Sequence, residues 1–481
     1  MDELIDPDAV PGWTDEADVV VVGMGCAGAS VAIEARRADA GVLVLERASG
    51  PGGTSALAGG HFYLGGGTPV QEACGFADTP DDMYAYLADV TPDPDHEKLR
   101  AYCDGSVDHF HWLEAQGVHF DRTYYPDKHV IQPGRDCLIW SGNEKVWPFR
   151  EQARPAPRGH KVAVDGDGGP TIMQALADRA GELGARLETD TAVTALAQDA
   201  GGRVVGVRTR RFGEVGYVRA QSVVLTTGGF VMNAEMVAKH APALAPPVVP
   251  VGSPYDDGSG IVLGAAAGAA LRHMDGAFVS ATNYPPAILL KGILVNADGR
   301  RFVAEDSYHG RTGASVLEQH QGVAYLVVDS ATFAFPEFQS LPLVDGWETV
   351  AEMESALALP AGALQRTLEE YNAHAAAGDD PELHKHPEWL QPLDAAPYAA
   401  FDASLGRAVF VGFTLGGLAT SADGEVLDER GAPIAGLYAA GGCASNLVQD
   451  GRGYCSGICL GEGTFFGRRA GRHAAARHAA A

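Results

Sequence analysis

The most constraining stretch of this chain is residues 18–47, DVVVVGMGCAGASVAIEARRADAGVLVLER. A run of valines, Val19 to Val22, ends at Gly23. A helical stretch follows from Ala27 to about Ala38, and a second apolar strand, Val42 to Leu45, stops at Glu46. Strand, glycine turn, helix and strand make a βαβ unit, and the spacing Gly23-x-Gly25-x-x-Gly28 fits a dinucleotide pyrophosphate on the helix N-terminus. Gly23 allows the tight turn, Gly25 lets phosphate reach the backbone, and Gly28 lets helix and strand pack closely. Glu46 lies 23 residues after Gly23, at the strand end where a carboxylate reaches ribose hydroxyls.

A second glycine-rich stretch, SGPGGTSALAGGHFYLGGGT (49–68), follows directly. A plain nicotinamide-binding domain has no need of it. A larger cofactor lying across the sheet does, which favours FAD. No second strand-GxGxxG-helix unit occurs, so no separate NAD(P)H domain is expected, and neither a G-x-S-x-G elbow nor an HExxH motif is present.

Further along, 170–188 read as an amphipathic helix leading into a strand. Thr191–Gln198, Val204–Arg210 and Tyr217–Val224 read as strands, with a buried strand ending in Thr-Gly-Gly at 227–229. Asp256-Asp257-Gly258-Ser259-Gly260 opens an apolar helix running to about Ala270. From about Phe278 turns, strands and helices mix, and at 412–471 cofactor-type sequence returns. The expected architecture is therefore α/β. A Rossmann-like FAD-binding domain, discontinuous over 1–277 and 403–481, carries an inserted α+β substrate domain at 278–402.

Composition narrows the partners. A formal charge of −27 leaves no basic groove for nucleic acid and no polybasic patch for anionic lipid. The acidic N-terminus lacks an apolar signal core, and the longest apolar stretch, near Gly260 to Leu271, is too short to span a membrane. The seven cysteines form no CxxC pair, so a reduced, cytoplasmic protein is expected. Cys455 and Cys459 read as packing residues. His109/His111 and His384/His386 read as solvated polar surface, and no metal site is expected.

Taken together, GMGCAG (23–28), Glu46, GGTSALAGG (52–60), TTGGF (226–230), DDGSGI (256–261), VNADGRRFVAE (295–305), TLGGLATSADGEVLD (414–428) and GLYAAGG (436–442) resemble the FAD-dependent fumarate reductase/succinate dehydrogenase flavoprotein superfamily. The resemblance implies FAD held by Gly23, Gly25, Cys26, Ala27, Gly28, Glu46, Arg47, Gly52, Gly53, Thr54, Ser55, Gly59, Gly60, Val193, Thr227, Gly228, Gly229, Asp257, Gly258, Gly441, Gly442, Gly457 and Ile458. Succinate dehydrogenases attach flavin through a His in the segment that here carries Thr54 and Ser55, with His61 only beyond it, so noncovalent FAD is implied. The HGxNRLGG-like stretch of fumarate reductases is replaced by CASNLVQDGRGYCSG, which keeps Arg452 but lacks the histidine, so a dicarboxylate substrate is poorly supported. The TYPGPGGT-like segment of ketosteroid Δ1-dehydrogenases is missing as well.

Within the superfamily, GGHFYLGGGTPVQEACGFADTPDDMYAYL, RPAPRGH, EDSYHG and DGRGYCSG look like the 3-ketosteroid Δ4-(5α)-dehydrogenases. That family uses a Tyr-x-Ser pair and a second tyrosine, which Tyr454, Ser456 and Tyr308 match. The implied reaction introduces a C4–C5 double bond into a 5α-3-ketosteroid. Tyr454 would meet the carbonyl oxygen, Ser456 would take the α-proton, Tyr308 would relay it, and a hydride would pass to flavin N5. The implied partners are a steroid and an electron acceptor that the sequence does not identify. The competing readings are a Δ1-dehydrogenase, an enoate reductase, or a flavin electron carrier without a substrate site. A steroid also needs apolar walls, for which YPPAILL (284–290) and VFVGF (409–413) are candidates, each of which reads equally as plain core.

Overall fold

The computed structural model describes residues 3–479 apart from Thr282 and Gln339. Its largest sheet has a parallel core of five strands in the spatial order Arg186–Glu188, Val42–Leu45, Asp15–Val22, Glu214–Leu225 and Pro433–Ala439. Register aligns Val22 with Leu45 and with Leu225, and Leu225 with Ala439. The strands thus end together, and whatever follows each of them faces one crevice beyond their carboxyl ends, where ligands bind in open α/β sheets. The valines of Asp15–Val22 are buried on both faces, which explains why the strand reads as a continuous apolar run rather than an alternating one.

The strand Glu214–Leu225 is shared between two partners. Its first half pairs antiparallel with Val204–Arg211, and its second half pairs parallel with Pro433–Ala439. The helix after the glycine turn spans Cys26–Arg37 and packs on the C-terminal helix Ile458–Ala479. Small residues permit that approach: a Cβ on Gly467 would lie 2.6 Å from the carbonyl of Ala27, and one on Gly471 2.5 Å from that of Val31. The expected helix and strands at 170–225 are present as Gly169–Glu182, Arg186–Glu188, Thr191–Gln198, Val204–Arg211 and Glu214–Leu225.

Of the smaller sheets, one borders the crevice through Phe278, Val411 and Phe413. Ala277–Ala281 pairs antiparallel with Phe410–Thr414, which also pairs with Val249–Pro250. Ile293–Asn296, Ala324–Asp329, Tyr398–Asp402 and Leu343–Trp347 form a four-stranded antiparallel sheet. The helices Val350–Ala356 and Ala363–Ala376 bury an apolar cluster against it that includes Met353, Leu364 and Leu368. A buried ion cluster pins the segment leaving this sheet. Arg301 bridges Glu305 at 2.8 Å and Asp380 at 2.9 Å, and Lys385 approaches Glu305 at 3.3 Å. Burial alone would push the Glu305 carboxyl up, but Arg301 and Lys385 outweigh it and hold it below its usual range.

One sequence expectation is corrected here. His109 is fully buried rather than solvated: it stacks on Trp112 at 5.6 Å, meets Thr464 Oγ1 at 2.8 Å, and faces the Arg468 guanidinium at 3.0 Å. It is a partnered core histidine, whereas His111 is exposed. Among the described residues no His/Cys/Asp/Glu group could hold a metal, and no helix is long and apolar enough to cross a membrane.

Candidate active site

A cavity of about 670 Å³ occupies the crevice beyond the strand ends. Leu57, 59% exposed, and Tyr255, 40% exposed, mark where it meets solvent. Its walls include Gly23, Gly25, Cys26, Ala27, Glu46, Arg47, Gly53, Thr54, Ser55, Gly59, Gly60, Val193, Thr227, Gly228, Gly229, Gly441, Gly442 and Gly457. Tyr308, Tyr454 and Ser456 line the same cavity, although 146 residues of chain separate the first from the second.

Five residues expected at the cofactor stand behind the wall instead. Gly28 packs against the glycine turn, where a Cβ would lie 2.1 Å from the carbonyl oxygen of Gly23. Gly52 has φ +135° and donates its N–H to Met24 O at 2.9 Å. Asp257 pairs with Arg47 at 2.5 Å and accepts from Ser259 N at 3.1 Å, just before the helix Ser259–Ala266. Gly258 (φ +77°) packs against Met236, and Ile458 is core.

The chemistry of the lining fits a dinucleotide. The helix Cys26–Arg37 has Gly25 at its N-cap, and Gly25, Cys26 and Ala27 line the cavity at the helix N-terminus, where Cys26 N donates to Ser55 Oγ at 3.1 Å. A Cβ on Gly25 would meet only Ser55 Oγ at 3.4 Å and Gly52 O at 3.9 Å, which leaves the approach to this backbone open. Glu46 accepts from Met24 N and from Ala48 N, both at 2.7 Å, and its carboxylate is thereby fixed at the strand end. Sequence reasoning missed Asp256, the neighbour of Asp257, which lines the cavity and accepts from the Thr54 hydroxyl. Burial pushes its carboxyl up to about 6. His61 also lines the cavity, buried, with Nε2 2.7 Å from Gln132 Oε1, and burial lowers its pKa to about 4.

Three hydroxyl-bearing side chains, Tyr308, Tyr454 and Ser456, share another part of the lining. Tyr308 Oη and Ser456 Oγ are 2.6 Å apart. The Tyr308 and Tyr454 rings lie 6.3 Å apart, and the Phe278 ring lies beside them, 6.4 Å from Tyr308 and 4.4 Å from Tyr454. Phe413 stacks on Phe278 at 4.8 Å and meets Tyr454 edge-on at 5.5 Å. Phe278 and Phe413 are therefore an apolar floor that fixes the Tyr454 ring. The Tyr454 hydroxyl donates to Cys459 Sγ at 3.4 Å, a weak acceptor that a ketone oxygen can displace.

Burial pushes both phenols well above their usual range, and the bond from Ser456 offsets this only in part for Tyr308. Both are neutral at any working pH. Of the apolar segments singled out in the sequence, VFVGF contributes Val411 and Phe413 to the wall, whereas YPPAILL contributes none of its residues and is largely core. Arg452 lies outside the cavity in a surface ion pair with Glu318.

A family model described as FAD binding domain matches residues 18–458. The 3-oxo-5-alpha-steroid 4-dehydrogenase of Comamonas testosteroni is 31% identical, over 89% of this chain and 93% of its own. The crystal structure of 3-ketosteroid-Δ4-(5α)-dehydrogenase from Rhodococcus jostii RHA1, in complex with 4-androstene-3,17-dione, is 44% identical. It superposes with a TM-score of 0.94 over 98% of this chain and 99% of that one. The 3-ketosteroid Δ1-dehydrogenase of Sterolibacterium denitrificans, 22% identical with a TM-score of 0.70 over 96% of this chain and all of its own, shares the fold.

Proposed function

The chain belongs to the FAD binding domain family, and from that premise we propose that it dehydrogenates 5α-3-ketosteroids, introducing the C4–C5 double bond. The observation that carries this reading is the 2.6 Å pair of Tyr308 and Ser456, which shares the cavity with Tyr454. FAD would be held noncovalently by the lining described above and would supply the hydride acceptor for the hydrogen leaving C5.

The chain's own residues manage the carbonyl and the proton. Tyr454, a neutral phenol resting on a weak sulfur acceptor, turns its proton to the C3 oxygen as enolate character develops there. Such a donor contributes roughly 3–4 kcal/mol in the transition state. The C4 proton passes to Ser456. A serine hydroxyl is a poor base, and the raised pKa of Tyr308 forbids a standing phenolate. The pair therefore acts in concert, Ser456 accepting as it hands its own proton across the 2.6 Å contact to Tyr308, whose phenolic proton leaves in turn to solvent. Phe278, Phe413 and Val411 give a steroid ring system an apolar wall and keep water from the developing charge. We divide the chain accordingly into a cofactor-binding part (1–277 and 403–481) and an inserted part (278–402) that delivers Tyr308.

Anaerobic mixing of the yellow protein with a 5α-3-ketosteroid tests this. Bleaching of the flavin band with a 4-ene-3-one as product is the expected result. A 1-ene product would move the reaction to the other side of the carbonyl. No bleaching in protein that holds FAD would overturn the reading.

A further inference from the structure

The proton-transfer pair is assembled from two distant segments, 306–308 and 452–456, and a third segment holds them together. Asn143 is fully buried in the irregular stretch 140–148. Its Oδ1 accepts from the backbone N–H of Tyr308 at 2.8 Å, and its Nδ2 donates to the carbonyl of Arg452 at 3.0 Å. One side chain thus ties both halves of the pair. Two residues earlier, Ser141 accepts from Ser456 N at 2.7 Å through its carbonyl and donates through Oγ to Ser456 O at 3.2 Å. The clasp is itself anchored, because Asn143 N donates to the Tyr86 hydroxyl at 2.8 Å and Gly142 N to Glu144 Oε2 at 3.0 Å.

The orientation of the Asn143 amide is dictated by its partners. The Tyr308 N–H needs an acceptor and the Arg452 carbonyl needs a donor, so a flipped amide would break both bonds. Ser141, Gly142 and Asn143 do not line the cavity, so the segment acts through Tyr308 and Ser456. We infer that Ser141–Asn143 is a positioning clasp, with Asn143 at its centre, that sets the Tyr308–Ser456 hydroxyl distance and hence the rate of proton removal from substrate.

This inference rests on the proposed dehydrogenation, so wild-type enzyme is first reduced anaerobically with a 5α-3-ketosteroid, and failure there is failure of that reading alone. Asn143→Asp keeps an acceptor for Tyr308 N but loses the donor to Arg452 O and sets a carboxylate against that carbonyl. Flavin reduction is then compared using unlabelled, C4-deuterated and C5-deuterated substrate. The expected result is 10- to 100-fold slower reduction with a larger C4 isotope effect and an unraised C5 effect. FAD content, visible spectrum and product affinity should stay within twofold, and the substitution should add little in a Tyr308→Phe background. A merely structural role would lower FAD content or slow both steps with the isotope pattern unchanged, and that result, or reduction within twofold of wild type, overturns the inference. If Asn143→Asp gives no folded holoenzyme, Ser141→Ala carries the test, with a two- to fivefold loss and the same rise in the C4 effect expected.

Discussion

Replacing Tyr454 by Phe isolates one hydroxyl. The ring stays held by Phe278 at 4.4 Å and Phe413 at 5.5 Å, so no cavity opens in the floor. In the resting protein the lost hydroxyl makes one long bond, to Cys459 Sγ at 3.4 Å. Deleting it should cost less than about 1 kcal/mol of stability and move the melting temperature by no more than about 2 °C. In the transition state the same hydroxyl faces a developing enolate oxygen in a buried site, where one donor is worth roughly 3–4 kcal/mol. At 1.36 kcal/mol per decade the expected fall in the flavin reduction rate is roughly 10²- to 10³-fold. The assay is anaerobic stopped-flow at saturating 5α-3-ketosteroid, with FAD content measured on the same sample. A loss under about fivefold, with full FAD occupancy, would refute the donor role and the reasoning from burial that led to it.

Other consequences follow from the same geometry. Tyr308→Phe and Ser456→Ala should each slow reduction by roughly 10²-fold, and the double variant hardly more, since the two hydroxyls share one proton transfer; additive losses in single-turnover rates would contradict a concerted pair. Gly25→Ala should leave the fold intact but weaken FAD binding at least tenfold by titration of apoprotein, because its Cβ faces open cavity. Gly28→Ala should fail earlier, as loss of soluble protein, because its Cβ would sit 2.1 Å from Gly23 O. Burial raises Glu462 to about 7 from 4.5, an attraction to Lys98 offsetting only part of the shift. Between those values the folded state binds the extra proton, so stability falls as pH rises from about 4.5 to 7, by at most roughly 3 kcal/mol. Glu462→Gln should flatten that slope in denaturant titrations at pH 5 and 8, and equal slopes would count against it. Arg452→Ala removes only an exposed pair with Glu318 and should leave turnover within about twofold in the steady-state assay.

Much of the cofactor half was legible because its constraints are local. A glycine that must accept a carbonyl at van der Waals contact, or leave backbone bare to phosphate, has no substitute, so Gly23, Gly25 and Gly28 announce their unit at fixed spacing. Valines buried on both faces announce a parallel strand in the same way. The proposed catalytic triplet was legible only through family likeness. Nothing in EDSYHG or DGRGYCSG says by itself that Tyr308 and Ser456 meet at 2.6 Å.

The rest depended on distance. Single-sequence reading put His109 on the surface, because a lone histidine carries no mark of the Trp112, Thr464 and Arg468 partners that the C-terminal helix and its neighbour bring to it. It named Asp257 and passed over Asp256, since two adjacent carboxylates differ only in which way the chain turns them: one to Arg47, the other into the cavity. It was silent on Asn143, an ordinary asparagine in an irregular stretch. By itself, then, the sequence determined a Rossmann-like unit and a large dinucleotide, because those follow from contacts within a few residues, and family likeness added three candidate hydroxyls. The tertiary structure decided which of them share a cavity, how their protons are held and what clamps them. Those are properties of segments that lie more than a hundred residues apart in the chain and touch only once the strands have aligned their ends on one crevice.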